Sequence, residues 1–207
     1  MSEVLINKPK TKRGEITFNK LTQSAEENFY QKGYHETSIS DITRSAHVAL
    51  GTYYVYFQDK LSVYKYLLLQ YSHDIRKNIA LSIRGLEDRR EIERAGLKSF
   101  LVYISEHKHI YNIIWESLYI DKQLFVDYYT NFAHAYETQI IDAQNKQEMK
   151  QFDPQIASYL LMGVANFIGL KWVMFDDSTD FDAIVDETIR ILDIGMFAHD
   201  KSSETEL

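Results

Sequence analysis

The chain has 207 residues, of which 45% are hydrophobic, a formal net charge of -7, and no cysteine. The length and apolar share support a well-filled core, while the missing cysteines exclude disulfides, thiolate metal sites and thiol redox chemistry. Only two prolines and eight glycines interrupt long segments of 3.6-residue period, which predicts an all-α fold.

Charge is distributed unevenly along that chain. Residues 1–62 hold eight Lys/Arg against seven Asp/Glu, and the remainder holds fifteen against twenty-three. The acidity therefore belongs to the C-terminal part and leaves a polyanionic partner open for the N-terminal part. The leader MSEVLINKPKTKRGE has no apolar run of secretory length, so a cytoplasmic protein is expected. Its Lys8, Lys10, Lys12 and Arg13 read either as a phosphate-seeking arm or as a solvated tail.

Phe18, Leu21, Ala25 and Phe29 recur at helical spacing and predict a first helix over 17–32, stopped by Gly33. Thr37 or Ser38 caps a second helix with Ile39, Ile42 and Ala46 on its buried stripe and Asp41 in its first turn. A third helix follows Val48 and turns Tyr53 and Phe57 to one side. Helices this short are marginal alone, so both must pack on the first. Three helices, the last two joined by a tight turn, form a helix-turn-helix, whose last helix enters a DNA major groove. That role suits LGTYYVYF: Thr52, Tyr54 and Tyr56 offer hydroxyls to phosphates or base edges, and Gly51 admits close backbone approach. The same tyrosines also suit a plain core with wet tips.

As a set, Phe29, Gly33, Thr37, Ser38, Ile42, Ala46, Val48, Gly51, Thr52, Tyr54, Tyr56, Phe57 and Lys60 closely resemble the DNA-binding module of tetracycline-repressor-like (TetR) regulators. The resemblance covers about residues 13–68. It implies that Thr37 or Ser38 caps the second helix against a phosphate, that Thr52 and Lys60 bind phosphate, and that Leu50, Gly51 and Tyr54 face the bases or groove wall. Lys12 and Arg13 join this expected DNA-binding set. Tyr53 takes the family's leucine position and is expected in the core. His47 stands where the family usually has glycine, which puts a strained or an altered turn in play, histidine being among the residues enriched at positive φ. Ala49 replaces the usual Ser/Thr cap, and Leu50 replaces a polar base-facing residue, favouring apolar contact such as a thymine methyl.

Asp59 opens a long fourth helix to about Ile83, joining the DNA unit to the rest without a flexible linker. Further helices are expected over 91–107, 110–119, 123–146, 154–175 and 180–199. The segment ASYLLMGVANFIGLKWVMF is apolar around its whole circumference except for Asn166 and Lys171. With those two polar residues inside a barely sufficient span, it reads as a helix buried on all sides by protein, and no membrane partner is expected. The last helix spreads Phe181, Ile184, Val185, Ile189, Ile191, Leu192 and Met196 over a broad arc. The resemblance implies a four-helix dimer interface from the last two helices, with Tyr159, Gly163, Phe167, Ile184, Thr188, Ile191 and Gly195 as candidates. Two recognition helices reading successive half-sites likewise require a twofold pair.

Aromatic residues crowd the region between the fourth and eighth helices. Phe100, Tyr103, Tyr111, Trp115, Tyr119, Phe125, Tyr128, Tyr129 and Phe132, with Asn166, Trp172 and Glu116, are candidates to line a pocket for a hydrophobic or aromatic small-molecule effector. Ordinary packing accounts for the same residues equally well. His107 and His109 are two apart and face different sides of a helix, so no metal site is expected. No phosphate-cradling loop or nucleophile elbow occurs, so neither catalytic residues nor a cofactor are expected. The expectation is a ligand-responsive regulator, a repressor binding a near-palindromic double-stranded DNA operator as a homodimer and released by its effector. Residues 1–62 form the DNA-binding domain and 63–207 the ligand-binding and dimerisation domain. The rival is a helical small-molecule binding protein or an enzyme in which residues 17–57 only pack.

Overall fold

The computed structural model describes residues 6–178 and 180–194. The expected end of the last helix near His199, with Gly195 and Met196, lies outside the described residues. Nine α-helices follow one another among the described residues: α1 (Lys12–Glu36), α2 (Ile39–Ser45), α3 (Leu50–Tyr56), α4 (Lys60–Ser82), α5 (Arg89–Glu106), α6 (His109–Ile120), α7 (Lys122–Asn145), α8 (Pro154–Gly169) and α9 (Asp182–Ile194). Helix α8 continues into a six-residue π-helical segment, Leu170–Phe175. The aspartates 59, 88, 121 and 153 cap α4, α5, α7 and α8, each accepting first-turn backbone N–H bonds.

Phe18, Leu21, Ala25 and Phe29 of α1 meet Ile42, Tyr53 and Phe57, and every one of these is buried. Ser24 Oγ donates to Ile42 O at 2.7 Å and Asn28 Nδ2 to Ser24 O at 2.7 Å, satisfying polar groups inside the α1–α2 seam. Tyr53 is fully buried, its hydroxyl donating to Asp59 O at 2.9 Å. His47 holds φ 56 in the turn between α2 and α3, so of the two turns left open the chain takes the left-handed one. Ala49 caps α3 without a side-chain bond.

Helix α4 runs from this unit into the larger body, packing on α1, α5, α6 and α7. Tyr64 on α4 is buried and donates to Ile113 O of α6. Helix α9 lies along α5, held by Arg90–Asp193 (2.7 Å), Arg94–Asp186 (2.6 Å) and Lys98–Asp182 (2.7 Å).

The segment Pro154–Phe175 is the one helix among the described residues long and apolar enough to cross a membrane, yet only 22% of its apolar window is buried. This corrects the expectation of burial on all sides. Leu161, Met162 and Ala165 face an internal cavity, whereas Ile156, Tyr159, Leu160 and Phe167 form a bare stripe on the opposite side.

Tyr111 reaches across α8 just before the change of helical pitch. Its hydroxyl donates to Asn166 O at 3.0 Å, and a Cβ at Gly169 would lie 2.3 Å from that hydroxyl. Only glycine allows this approach, and the π-helical segment begins at the next residue.

Candidate DNA interface and effector cavity

The second and third helices present a short polar edge. Ser38 caps α2 reciprocally with Asp41: Ser38 Oγ accepts from Asp41 N at 3.1 Å, and Asp41 Oδ2 accepts from Ser38 N at 3.1 Å. Hydrogen bonds from Ser38 hold the Asp41 carboxyl below its ordinary value. Leu50, Gly51 and Tyr54 are exposed and Thr52 is half-buried, so α3 carries an outward face. Lys12 and Arg13 are exposed at the start of α1. Tyr56 is half-buried, its ring edge-on to Phe18 at 5.7 Å, with its hydroxyl beside Gly14 in the first turn of α1.

Two expected phosphate ligands are engaged elsewhere. Thr37 is 1% exposed and directs its hydroxyl at the carbonyls of Asn28 (3.1 Å) and Gly33 (2.8 Å), because the chain reverses there and leaves those carbonyls without helical partners. The Lys60 ammonium donates to Tyr34 O at 2.6 Å and Thr37 O at 2.7 Å, and lies 4.2 Å from the Tyr34 ring centroid. Burial lowers its pKa, with Glu116 and Glu36 opposing. It serves as a C-terminal cap for α1.

Glu116 was expected at a ligand and instead completes the same junction. Its Oε1 accepts from Tyr34 N at 2.7 Å, directly beside Gly33. Gly33 holds φ 78 and ψ 166, and a Cβ there would stand 2.9 Å from that carboxylate oxygen. A second contact joins α6 to α1 further along. His109 Nε2 lies 2.9 Å from Glu26 Oε1, which also accepts from Tyr71 at 2.8 Å. Burial acts to raise the Glu26 carboxyl, but the bonds from His109 and Tyr71 outweigh it and the net shift is downward.

The opposite face of α6 borders a partly open cavity of about 300 Å³ lined by residues from α4 to α9. Phe100, Tyr111, Trp115, Tyr128, Tyr129, Phe132 and Asn166 line it. Burial, then the neighbouring Tyr129, push the Tyr128 hydroxyl upward while Arg76 opposes, so it stays a neutral donor. The other candidates lie off this wall. Tyr103 stacks on His107 with centroids 4.3 Å apart, Tyr119 is 82% exposed, and Phe125 packs behind Tyr129 at 4.8 Å. Trp172 sits in the π-helical segment, outside the lining. Sequence reading missed Ile75, Ile79 and Ile83, which line the cavity from α4; their four-residue spacing was the available signal. It also missed Arg89, Glu93 and Tyr136, a half-buried cluster on the cavity wall where Tyr136 and Arg89 both bond to Glu93. A second cavity, of about 410 Å³, adjoins the first through Arg76, Tyr128 and Ala135 and adds Lys65, His134 and Asp127.

Of the expected pairing residues, Tyr159 and Phe167 are exposed, Gly163 has open space over it, and Ile191 is 38% exposed. Ile184 packs partly on the core. Thr188 is a correction: it is buried, with its hydroxyl bonded to Ile184 O at 2.7 Å, so it faces its own protomer.

Residues 21–67 match the model of the family of bacterial regulatory proteins described as the tetR family. Those residues carry a tetR-family N-terminal module. Over 171 residues, 82% of this chain and 78% of the relative, it is 21% identical to the HTH-type transcriptional activator FasR of Mycolicibacterium smegmatis. It shares its fold with the fatty acid degradation regulator FadR from Bacillus halodurans, at TM-score 0.75 and 19% identity, covering 89% of this chain and 96% of that one. FadR from Bacillus subtilis, solved in complex with stearoyl-CoA, superposes at TM-score 0.66 with 18% identity, covering 87% of this chain and all of that one. The tetR-family module falls on α1 to α4, where the structure places the helix-turn-helix.

Proposed function

We propose that this regulator binds a near-palindromic operator as a homodimer and leaves it when an amphipathic effector, with a long apolar tail and an anionic head, fills the cavity. Residues 1–62 are then the DNA reader and 63–207 the effector and pairing unit, with α4 crossing between them. Ser38, Leu50, Gly51, Thr52 and Tyr54 supply the groove contacts. The bare stripe on α8, together with exposed Ile191 and Ile194 on α9, supports a twofold interface, since large apolar side chains grouped on a surface mark a protein contact.

The chemistry of the two cavities supports the effector class. The inner one is mostly apolar and aromatic, Arg76 stands on the boundary of both, and Lys65 lines the adjoining one beside Asp127; neither Arg76 nor Lys65 forms an ion pair among the described residues. An acyl thioester with a phosphate-bearing head fits that division, as does the stearoyl-CoA held by the Bacillus subtilis relative.

One observation carries the coupling between sites: α6 borders the cavity with Tyr111, Ile114 and Trp115 while it grips α1 through Glu116 and His109. An effector that shifts α6 alters the seat of the DNA unit directly, in addition to any motion of α4. A coupling of about 1 to 3 kcal/mol lowers operator affinity roughly 5- to 150-fold.

Duplexes selected by the protein from a random library should lose affinity steeply with salt, and stearoyl-CoA should release them where free stearate does so less. Saturating stearoyl-CoA binding with no change in duplex affinity would sink the switch. Failure to select any duplex at low salt would favour the rival, a binding protein whose helix-turn-helix only packs.

A further inference from the structure

The basic leader is fastened to the recognition unit. Ile6 forms an antiparallel bridge with Phe57, immediately after α3. Asn7 donates from its backbone N to Tyr56 O at 3.0 Å and from Nδ2 to Val55 O at 3.1 Å. These bonds satisfy carbonyls at the C-terminal end of α3 that the helix leaves open. Pro9 then packs against the start of α1, its Cβ 3.1 Å from where a Cβ on Gly14 would stand, and Thr11 caps α1 by accepting from Gly14 N at 3.1 Å. The segment is thus held at two points, by α3 and by α1.

Between and beyond these points the cations are free to act. Lys8, Lys10, Lys12 and Arg13 are all exposed, and none enters an ion pair among the described residues. The Tyr56 hydroxyl and the first turn of the 25-residue α1 lie at the same edge. Four cations, a hydroxyl and the positive end of a long helix converge beside the end of α3, and polyanion phosphate is the group that matches all three.

We infer that residues 6–10 are a strapped arm that lays Lys8 and Lys10 on backbone phosphates flanking the base pairs met by α3. This rests on the DNA-binding reading above and adds to it an element outside the family's matched residues 21–67. A free tail would lose its ordering entropy on binding; the contacts of Ile6, Asn7 and Pro9 fix the arm beforehand, so its charges act at full effect.

The test uses the full chain and a duplex that the wild-type protein selects from a random library. The double variant Lys8→Ala, Lys10→Ala should flatten the plot of log affinity against log salt by about 1.8 for each DNA-binding unit, at about 0.9 per phosphate. Hydroxyl-radical footprints should lose protection only at the outer edges of the site. Lys8→Arg, Lys10→Arg should keep the wild-type slope. Asn7→Pro, which removes both strap donors and leaves every lysine, should reduce the outer protection as well. A wild-type slope and footprint in the alanine double variant would overturn the arm alone. A wild-type chain that selects no duplex would overturn the DNA-binding reading itself.

Discussion

Replacing Gly33 by alanine tests the junction between the DNA unit and the body most directly. At φ 78 and ψ 166 the backbone occupies a region essentially reserved for glycine, so any side chain there costs about 1 to 3 kcal/mol. The new Cβ would stand 2.9 Å from Glu116 Oε1. Glu116 is flexible enough to swing aside, so the clash itself is cheap. Swinging aside, however, abandons the 2.7 Å bond from Tyr34 N, a hydrogen bond to a charged group worth about 1.5 to 3 kcal/mol. Together Gly33→Ala should destabilise the protein by about 2.5 to 6 kcal/mol, a large share of a typical domain's stability. Urea denaturation followed by circular dichroism measures it. A double-mutant cycle with Glu116→Gln separates the parts, because the penalty of Gly33→Ala should shrink when the carboxylate is already gone. Gly51→Ala is the control: open space surrounds that position in a helix, so it should gain about 0.5 to 1 kcal/mol. A loss below about 1 kcal/mol for Gly33→Ala would refute this account of the junction.

Two more outcomes follow from the described contacts. The Glu26 carboxyl is held below its ordinary value of 4.5, so its contribution is present above that pH and disappears as pH falls through the lowered value. Glu26→Gln should therefore cost on the order of 1 kcal/mol at neutral pH, with the gap to wild type closing in acid; a gap that stays constant from pH 7 to pH 3 excludes a charge-dependent contact. Phe167 is 69% exposed within the protomer, so Phe167→Glu should leave folding stability within about 0.5 kcal/mol while raising the dimer dissociation constant at least tenfold, measured by sedimentation velocity. An unchanged association constant would place the pairing surface elsewhere.

Much of this architecture is legible in residue spacing. The apolar periods of α1 to α4 and the caps at Ser38 and Asp59 arise from local rules, readable one segment at a time, whereas the inward Tyr53 and the unusual turn at His47 were legible through the family resemblance. Periodicity tells which side of a helix is turned inward but not what it meets there. Glu116 sits on an aromatic helix and reads as a pocket residue, yet its partner is a backbone N–H 82 positions away. Thr37 and Lys60 match a phosphate-binding pattern, but the reversal after Gly33 leaves carbonyls that claim them first. The approach of the Tyr111 hydroxyl over Gly169 from another helix is a tertiary event without a local signature. Helix α8 misled for a related reason. Its circumference is apolar throughout because two different surfaces, a cavity wall and a bare stripe, both require apolar side chains.

The grip of Glu116 and His109 on α1 bears on anyone wishing to graft a new promoter specificity onto this sensor. A hybrid spliced at residue 62 would import a foreign head lacking the mates of those two side chains, Tyr34 with its glycine neighbour and Glu26. On the coupling proposed through α6, such a hybrid should keep its duplex binding and lose its response to effector, and transplanting Glu26, Gly33 and Tyr34 into the foreign head should restore that response.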